Sequence, residues 1–108
     1  MPRRSYDLDF SLENLVYLEL LRRGYKVMIG RIGNTEVDFV AEKQGAYTYY
    51  QVTADMTAQE TFEREMRPLA QIRDNYEKII LTADRLTVGN YNGIRVKNLT
   101  DWLLGKEN

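Results

Sequence analysis

Three residues on three separate segments, Glu13, Asp38 and Gln51, carry oxygen atoms that could serve as ligands. A helix carboxylate, a strand carboxylate and an acidic or amide residue on the next strand form a ligand set for a hard divalent cation, which takes several oxygens from different elements. Each also has a plainer reading. Glu13 sits in the expected first turn of its helix, where the dipole favours an acidic side chain by about 0.3–1 kcal/mol and the carboxylate stays wet. Asp38 lies between Val37 and Phe39, in a strand interior where Asp is depleted. Either that face is solvated, with Glu36 and Asp38 outside and Val37, Phe39 and Ala41 inside, or the carboxylate is placed for a purpose. Val40 shares the Asp38 face, so that face is not wholly polar.

The missing residue types narrow the chemistry. The chain has no Cys and no His. Thiolate nucleophiles, disulfides, Ser-His-Asp triads and His or Cys metal sites are therefore excluded within it. Any catalysis must use carboxylates, Lys, Arg, Tyr or hydroxyls, and carboxylates select magnesium or manganese. Fifteen Lys plus Arg against sixteen Asp plus Glu give a net charge of −1, without the basic excess usual in a duplex-binding module. With 108 residues, 44% hydrophobic, the chain suits one domain. No apolar run approaches the roughly 18 residues that span a bilayer. The basic start, Met1-Pro2-Arg3-Arg4-Ser5, leads into no apolar h-region, so no signal peptide is expected and the cytoplasm is the expected location.

Turn signals divide the chain into elements that must position these groups. Residues 11–23 read as a helix capped by Ser11 and closed by Gly24, with residues 1–10 as an extension of the single domain. Strand chemistry follows at 25–32, 35–42 and 46–53, separated by Gly33-Asn34 and Gln44-Gly45. Residues 57–76 turn helical behind a capping box, Thr57-Ala58-Gln59-Glu60, and Pro68 predicts a kink or restart near Arg67. A buried strand at 77–82, a turn-rich stretch holding Gly89-Asn90-Tyr91-Asn92-Gly93, a short strand at 94–96 and a final helix capped by Thr100 complete an α/β order αβββαββα. If Gln44 and Gly45 form a two-residue turn, facing residues have numbers summing to 89; Asp38 then faces Gln51, Glu36 faces Thr53, and alternation puts all four on one face.

The segment Ser-Leu-Glu-Asn-Leu-Val-Tyr-Leu-Glu-Leu-Leu-Arg-Arg-Gly containing Glu13, then Glu36-Val37-Asp38-Phe39-Val40-Ala41, then Tyr50-Gln51-Val52-Thr53 resemble the PD-(D/E)XK nuclease-like domain of unknown function at the C-terminus of bacterial and archaeal AAA+-type ATPases. The resemblance extends from about Ser11 through Asn75-Tyr76 and the Gly89–Gly93 stretch. It implies a restriction-endonuclease-like αβββαβ core with a mixed central sheet flanked by helices. In active nucleases of that superfamily the helix Glu and the hairpin acids hold one or two magnesium ions, and a Lys two residues after the last acid orients or deprotonates the attacking water. Glu13 and Asp38 match that pattern, Gln51 offers a neutral amide oxygen, and Thr53 stands where the Lys is required. A hydroxyl brings no positive charge to a developing phosphorane and is no base near neutral pH. Lys26 or Arg64 could supply a displaced cation, and nothing in the sequence selects one.

The resemblance, with Thr53 as its departure, implies a binding or regulatory module of an AAA+-type ATPase that contacts protein or nucleic acid. The competing expectations are a magnesium- or manganese-dependent nuclease and a homodimer assembled through an exposed strand or the final helix. Tyr47, Tyr49 and Tyr50 read as packing before base stacking. Arg3, Arg4, Arg22, Arg23, Lys26 and Arg31 read as a solvated rim before a basic patch.

Overall fold

The computed structural model of the chain describes the backbone of residues 4–106 and the side chains of residues 8, 9 and 11–106. Val16 and Leu20, four apart and fully buried, fix the inner side of the first helix, α1 (Arg4–Arg22). The helix starts well before Ser11, so Ser11 is an exposed interior residue, not the N-cap, and residues 4–10 are helical. An exposed serine costs a helix interior only about 0.5 kcal/mol. Asp9 holds this part of the helix to the sheet, its carboxylate accepting the Ala54 N–H at 2.9 Å. The other end closes as expected: Gly24 takes φ +90°, while the N–H groups of Tyr25 and Gly24 bond the carbonyls of Leu20 and Leu21.

Three strands follow as an antiparallel meander, β1 (Lys26–Ile32), β2 (Thr35–Lys43) and β3 (Ala46–Thr53). Gln44 and Gly45, at φ 55° and 83°, form the two-residue turn. The register runs from Lys43 with Ala46 to Phe39 with Tyr50, as that turn requires. α2 (Gln59–Ala70) carries the chain back to β4 (Glu77–Thr82), which lies parallel to β3. β5 (Gly89–Tyr91) and β6 (Ile94–Asn98) form a hairpin turned by Asn92 and Gly93, and α3 (Leu99–Leu103) ends the described elements. The stretch expected to be only turns thus holds an additional strand.

The six strands form one mixed sheet in the order β1-β2-β3-β4-β6-β5. α1 and α3 cover one face, packing Val16, Leu20, Leu99 and Trp102 on Phe39, Tyr50 and Leu81. α2 covers the other, with Leu69 among Val40, Tyr49, Ile80 and Val96. No described helix is long and apolar enough to cross a membrane.

Several local expectations are corrected. The capping box does not form, because the Asp55 carboxylate takes both the Thr57 N–H and hydroxyl; Ala58 is the N-cap and contributes no side-chain bond. A charged acceptor competes well for those donors. Pro68 neither breaks nor restarts the helix near Arg67; it lies in the last turn, and the helix ends two residues later at Ala70. There its missing N–H forfeits a single bond. Asn98, not Thr100, caps α3, its side chain accepting the Asp101 N–H at 3.0 Å. Tyr47 packs edge-on against Tyr76, and Tyr50 packs at a tilt against Trp102.

Candidate functional site

The β2–β3 hairpin pairs regularly from its turn until Phe39 and Tyr50, where the backbone ladder ends and side chains take over. The Asp38 N–H donates to the Gln51 Oε1 at 2.9 Å, and the Val52 N–H donates to the Asp38 Oδ2 at 2.8 Å. On the other side of β2 the register slips: Ile29 faces Phe39 but the next residue, Gly30, faces Val37, leaving Asp38 as the extra residue of a bulge. A bulge re-aims the side chain it carries and inverts the alternation beyond it. Gly30 makes this possible, since a Cβ there would lie 2.8 Å from the Val37 carbonyl oxygen and closer still to the Val37 side chain.

The inversion moves two residues from where simple alternation put them. Val37 is buried on the α2 face together with Val40, not with Phe39 and Ala41. Glu36 is turned out to solvent and pairs with Arg31, so it does not share a polar face with Asp38, Gln51 and Thr53. Thr53 is buried, its hydroxyl donating to the Asp55 carbonyl at 3.4 Å.

Asp38 opens into a cleft of about 640 Å³ lined also by Glu13 from α1, Gln51 from β3, and Arg64 and Glu65 from α2. Glu13 is in the middle of its helix, not in the first turn, so the helix-end dipole does not account for it. Burial, then Asp38 and Asp9, push its carboxyl up to about 7. Burial raises Asp38 to about 6 despite the opposing Val52 N–H, with Asp9 adding to the rise. Glu65 also rises to about 7, through burial and the nearby Asp38, with Arg64 pulling the other way. Four carboxylates therefore feel one another: Asp38 is fixed by the Val52 N–H of β3 and Asp9 by the Ala54 N–H just beyond it, Glu13 lies one turn after Asp9 on α1, and Glu65 approaches from α2.

The structure thus brings together Glu13, Asp38 and Gln51, and seats Thr53 beside them in the strand with its hydroxyl engaged. Of the two proposed replacement cations, Arg64 lines the cleft; Lys26 lies opposite Glu42 in the β1–β2 ladder, toward the far end of β1 from the bulge. Arg64 comes within 3.9 Å of Glu65. Arg22 pairs with Glu19 and Arg31 with Glu36 at the exposed rim, whereas Arg23 is partly buried, pairing with Glu19 and donating to the Trp102 carbonyl at 2.6 Å with its guanidinium over the Trp102 ring; Arg3 and the Arg4 side chain lie outside the described residues.

Sequence reasoning missed Asp9 and Glu65. Their signals were present: Asp9 lies one helical turn before Glu13, and Glu65 interrupts the stripe of Phe62, Met66 and Leu69. As ligands for a hard cation, Glu13, Asp38, Gln51 and Glu65 have suitable chemistry. Among the described residues, no three acidic side chains stand close enough to share one ion as they are arranged.

No family profile matches the chain. An uncharacterised protein of Haemophilus influenzae is similar to it, with 41% identity over 93 residues. The match takes in 86% of this chain and 22% of that protein, so the chain spans less than a quarter of its relative's length.

Proposed function

We propose that the chain is a PD-(D/E)XK nuclease-like domain with a restriction-endonuclease-like core, serving as a non-catalytic binding or regulatory module of an AAA+-type ATPase. The observation that carries this reading is the state of Thr53. At the position where such nucleases place a Lys it is buried and its hydroxyl is spent on the Asp55 carbonyl, so no charge reaches the cleft from there. The αβββαβ order, the antiparallel meander and the parallel β3–β4 pair across α2 are consistent with the nuclease-like core. The much longer relative is consistent with a module in a larger polypeptide.

A second reading, a magnesium- or manganese-dependent nuclease, draws support from the raised carboxyls of Glu13, Asp38 and Glu65, whose mutual repulsion a dication would relieve. To share an ion those three and Gln51 would have to close in from their present separation, and the ion would then act as a Lewis acid on a phosphoryl oxygen. Arg64 is the cation within reach of the cleft. Incubating the protein with single-stranded, duplex and branched DNA or RNA in manganese separates the readings. The binding-module reading expects no cutting. Manganese-dependent cleavage that Asp38→Ala abolishes would replace it with the nuclease.

A further inference from the structure

α2 separates two clefts. Arg64, Glu65 and Pro68 line the one around Asp38, whereas Phe62, Met66 and Leu69 line a second, of about 770 Å³. Because β4 and β6 are parallel neighbours, with Lys78 opposite Ile94, the residues that precede each strand meet at one end of the sheet. Asn75 and Tyr76 thus line this second cleft together with Tyr91, Asn92 and Gly93 of the β5–β6 hairpin. Its wall is aromatic: Phe62 meets Tyr91 edge to face, with centroids 5.0 Å apart and planes at 79°, and Tyr76 is 40% exposed. Leu69, Ile72 and Ile94 are its buried apolar lining. The two charged residues of the lining, Asp74 and Lys78, are committed to each other and to their neighbours. The Lys78 ammonium donates to the Asp74 carboxylate and to the Asp74 and Tyr76 carbonyls at 2.9 to 3.0 Å. That carboxylate also accepts the Tyr49 hydroxyl at 2.6 Å and the Tyr76 N–H at 3.0 Å. The amides of Asn75 and Asn92, both exposed, have no hydrogen-bond partner among the described residues.

We propose that this cleft binds an unpaired nucleobase, seated against Phe62, Tyr76 and Tyr91 and hydrogen-bonded along its edge by the Asn75 and Asn92 amides. Three features select that chemistry. The lining offers aromatic and aliphatic surface to a flat apolar face, in a volume ordinary for a ligand site. It is electrically neutral, and its one ammonium is already spent on three oxygens, so neither a phosphate nor a charged side chain finds a counter-ion there. The third feature is the pair of amides. An aliphatic or phenyl group from a protein partner would strip water from both and return no hydrogen bond. A base carries apolar faces together with adjacent donors and acceptors on its edges, the pattern that an Asn amide matches. Adenine fits best, because its amino group is flanked by two acceptor nitrogens and so serves two amides at once. Reading a base and not a backbone also suits a chain of net charge −1. The site uses none of the carboxylates around Asp38, so it stands or falls apart from the nuclease-like reading.

The test is an amide NMR titration with adenosine, up to roughly 10 mM, and with a short single-stranded oligodeoxyadenylate. Both ligands should move the backbone signals of Tyr76 and Gly93 and the side-chain amide signals of Asn75 and Asn92. Oligonucleotide affinity should fall by less than about threefold from roughly 50 to 200 mM salt, the loss that a single phosphate contact would bring. Asn75→Ala should weaken both ligands by roughly tenfold. Asn92→Asp should do the same, since Asp tolerates the φ of 56° but turns the amide donor into an acceptor. Both positions are exposed and unbonded, and unchanged signals from β1 to β3 will show that the variants fold. Oligonucleotide binding more than tenfold tighter than adenosine would assign the site to single strands, and equal binding to a free nucleoside. No movement of these signals with either ligand would overturn the inference and leave the cleft to a protein side chain. Steep salt dependence, or affinity unchanged in both variants, would overturn it in favour of another surface.

Discussion

Two partly buried carboxylates, Asp84 and Asp38, differ in what surrounds them, and the difference separates scaffolding from a site. Asp84 follows β4. Its Oδ2 accepts the Met56 N–H and the Thr82 hydroxyl, and its Oδ1 accepts the Thr87 N–H and hydroxyl. Burial alone would raise its pKa, but those donors hold it at about 2. Asp38 receives one N–H, faces three other acidic groups and sits at about 6. The first carboxylate is stabilised by what it organises. The second is destabilised where it stands, and a bulge that requires glycine keeps it there. Structure that maintains an unfavourable charge in a cleft marks that charge as a functional candidate.

The contrast is broken most forcefully at Asp84. Asp84→Ala removes the acceptor of four donors, among them the fully buried Thr82, and should cost roughly 3 kcal/mol, lowering Tm by roughly 10–15 °C. A drop of less than about 3 °C in calorimetry would mean that water replaces the carboxylate easily and that Asp84 is not a structural hub. Next is Gly30→Ala. The new methyl meets the Val37 carbonyl, so either β1 or the bulge must move, and the loss should be about 2 kcal/mol. If chemical denaturation shows no loss, the bulge is soft and Asp38 is not held in place by its neighbours.

How far the sequence foretold this arrangement depends on the range of each interaction. The hairpin register was legible because the Gln44-Gly45 turn is local and a two-residue loop permits one pairing. The Gly24 ending of α1 was legible for the same reason. The face of Glu36 was not, since the bulge depends on Gly30 of the neighbouring strand meeting Val37, and alternation within β2 carries no trace of that encounter. The start of α1 was missed because Ser11 looks like a cap whether or not it serves as one. Glu13 and Asp38 stood out as acids among apolar neighbours. Glu65 broke an apolar stripe in the same way but had no motif to draw attention to it, and its proximity to Asp38 arises only when α2 folds across β2 and β3.

The finest test of the contrast is the pH dependence of stability between pH 5 and 8. The chain has no histidine or cysteine to titrate there. Asp84 and Glu19, each held at about 2, have their full stabilising effect above pH 4.5 and so contribute nothing to a slope in this window. Glu13, Asp38 and Glu65 behave oppositely. Their folded values, about 7, 6 and 7, lie above the usual 4.5, 3.8 and 4.5, so the folded state holds protons that the unfolded chain has released. Their contribution is complete below about pH 4 and is lost as the pH rises to 7. Tm should therefore fall on going from pH 5 to 8, by roughly 5 °C. Asp38→Asn keeps an acceptor for the Val52 N–H while removing the charge, so it should match the parent near pH 4 and exceed it by about 1 kcal/mol at pH 8. A parent Tm that is flat or rising with pH, or an Asp38→Asn variant weaker than the parent at pH 8, would show the Asp38 carboxylate to be as well supported as that of Asp84.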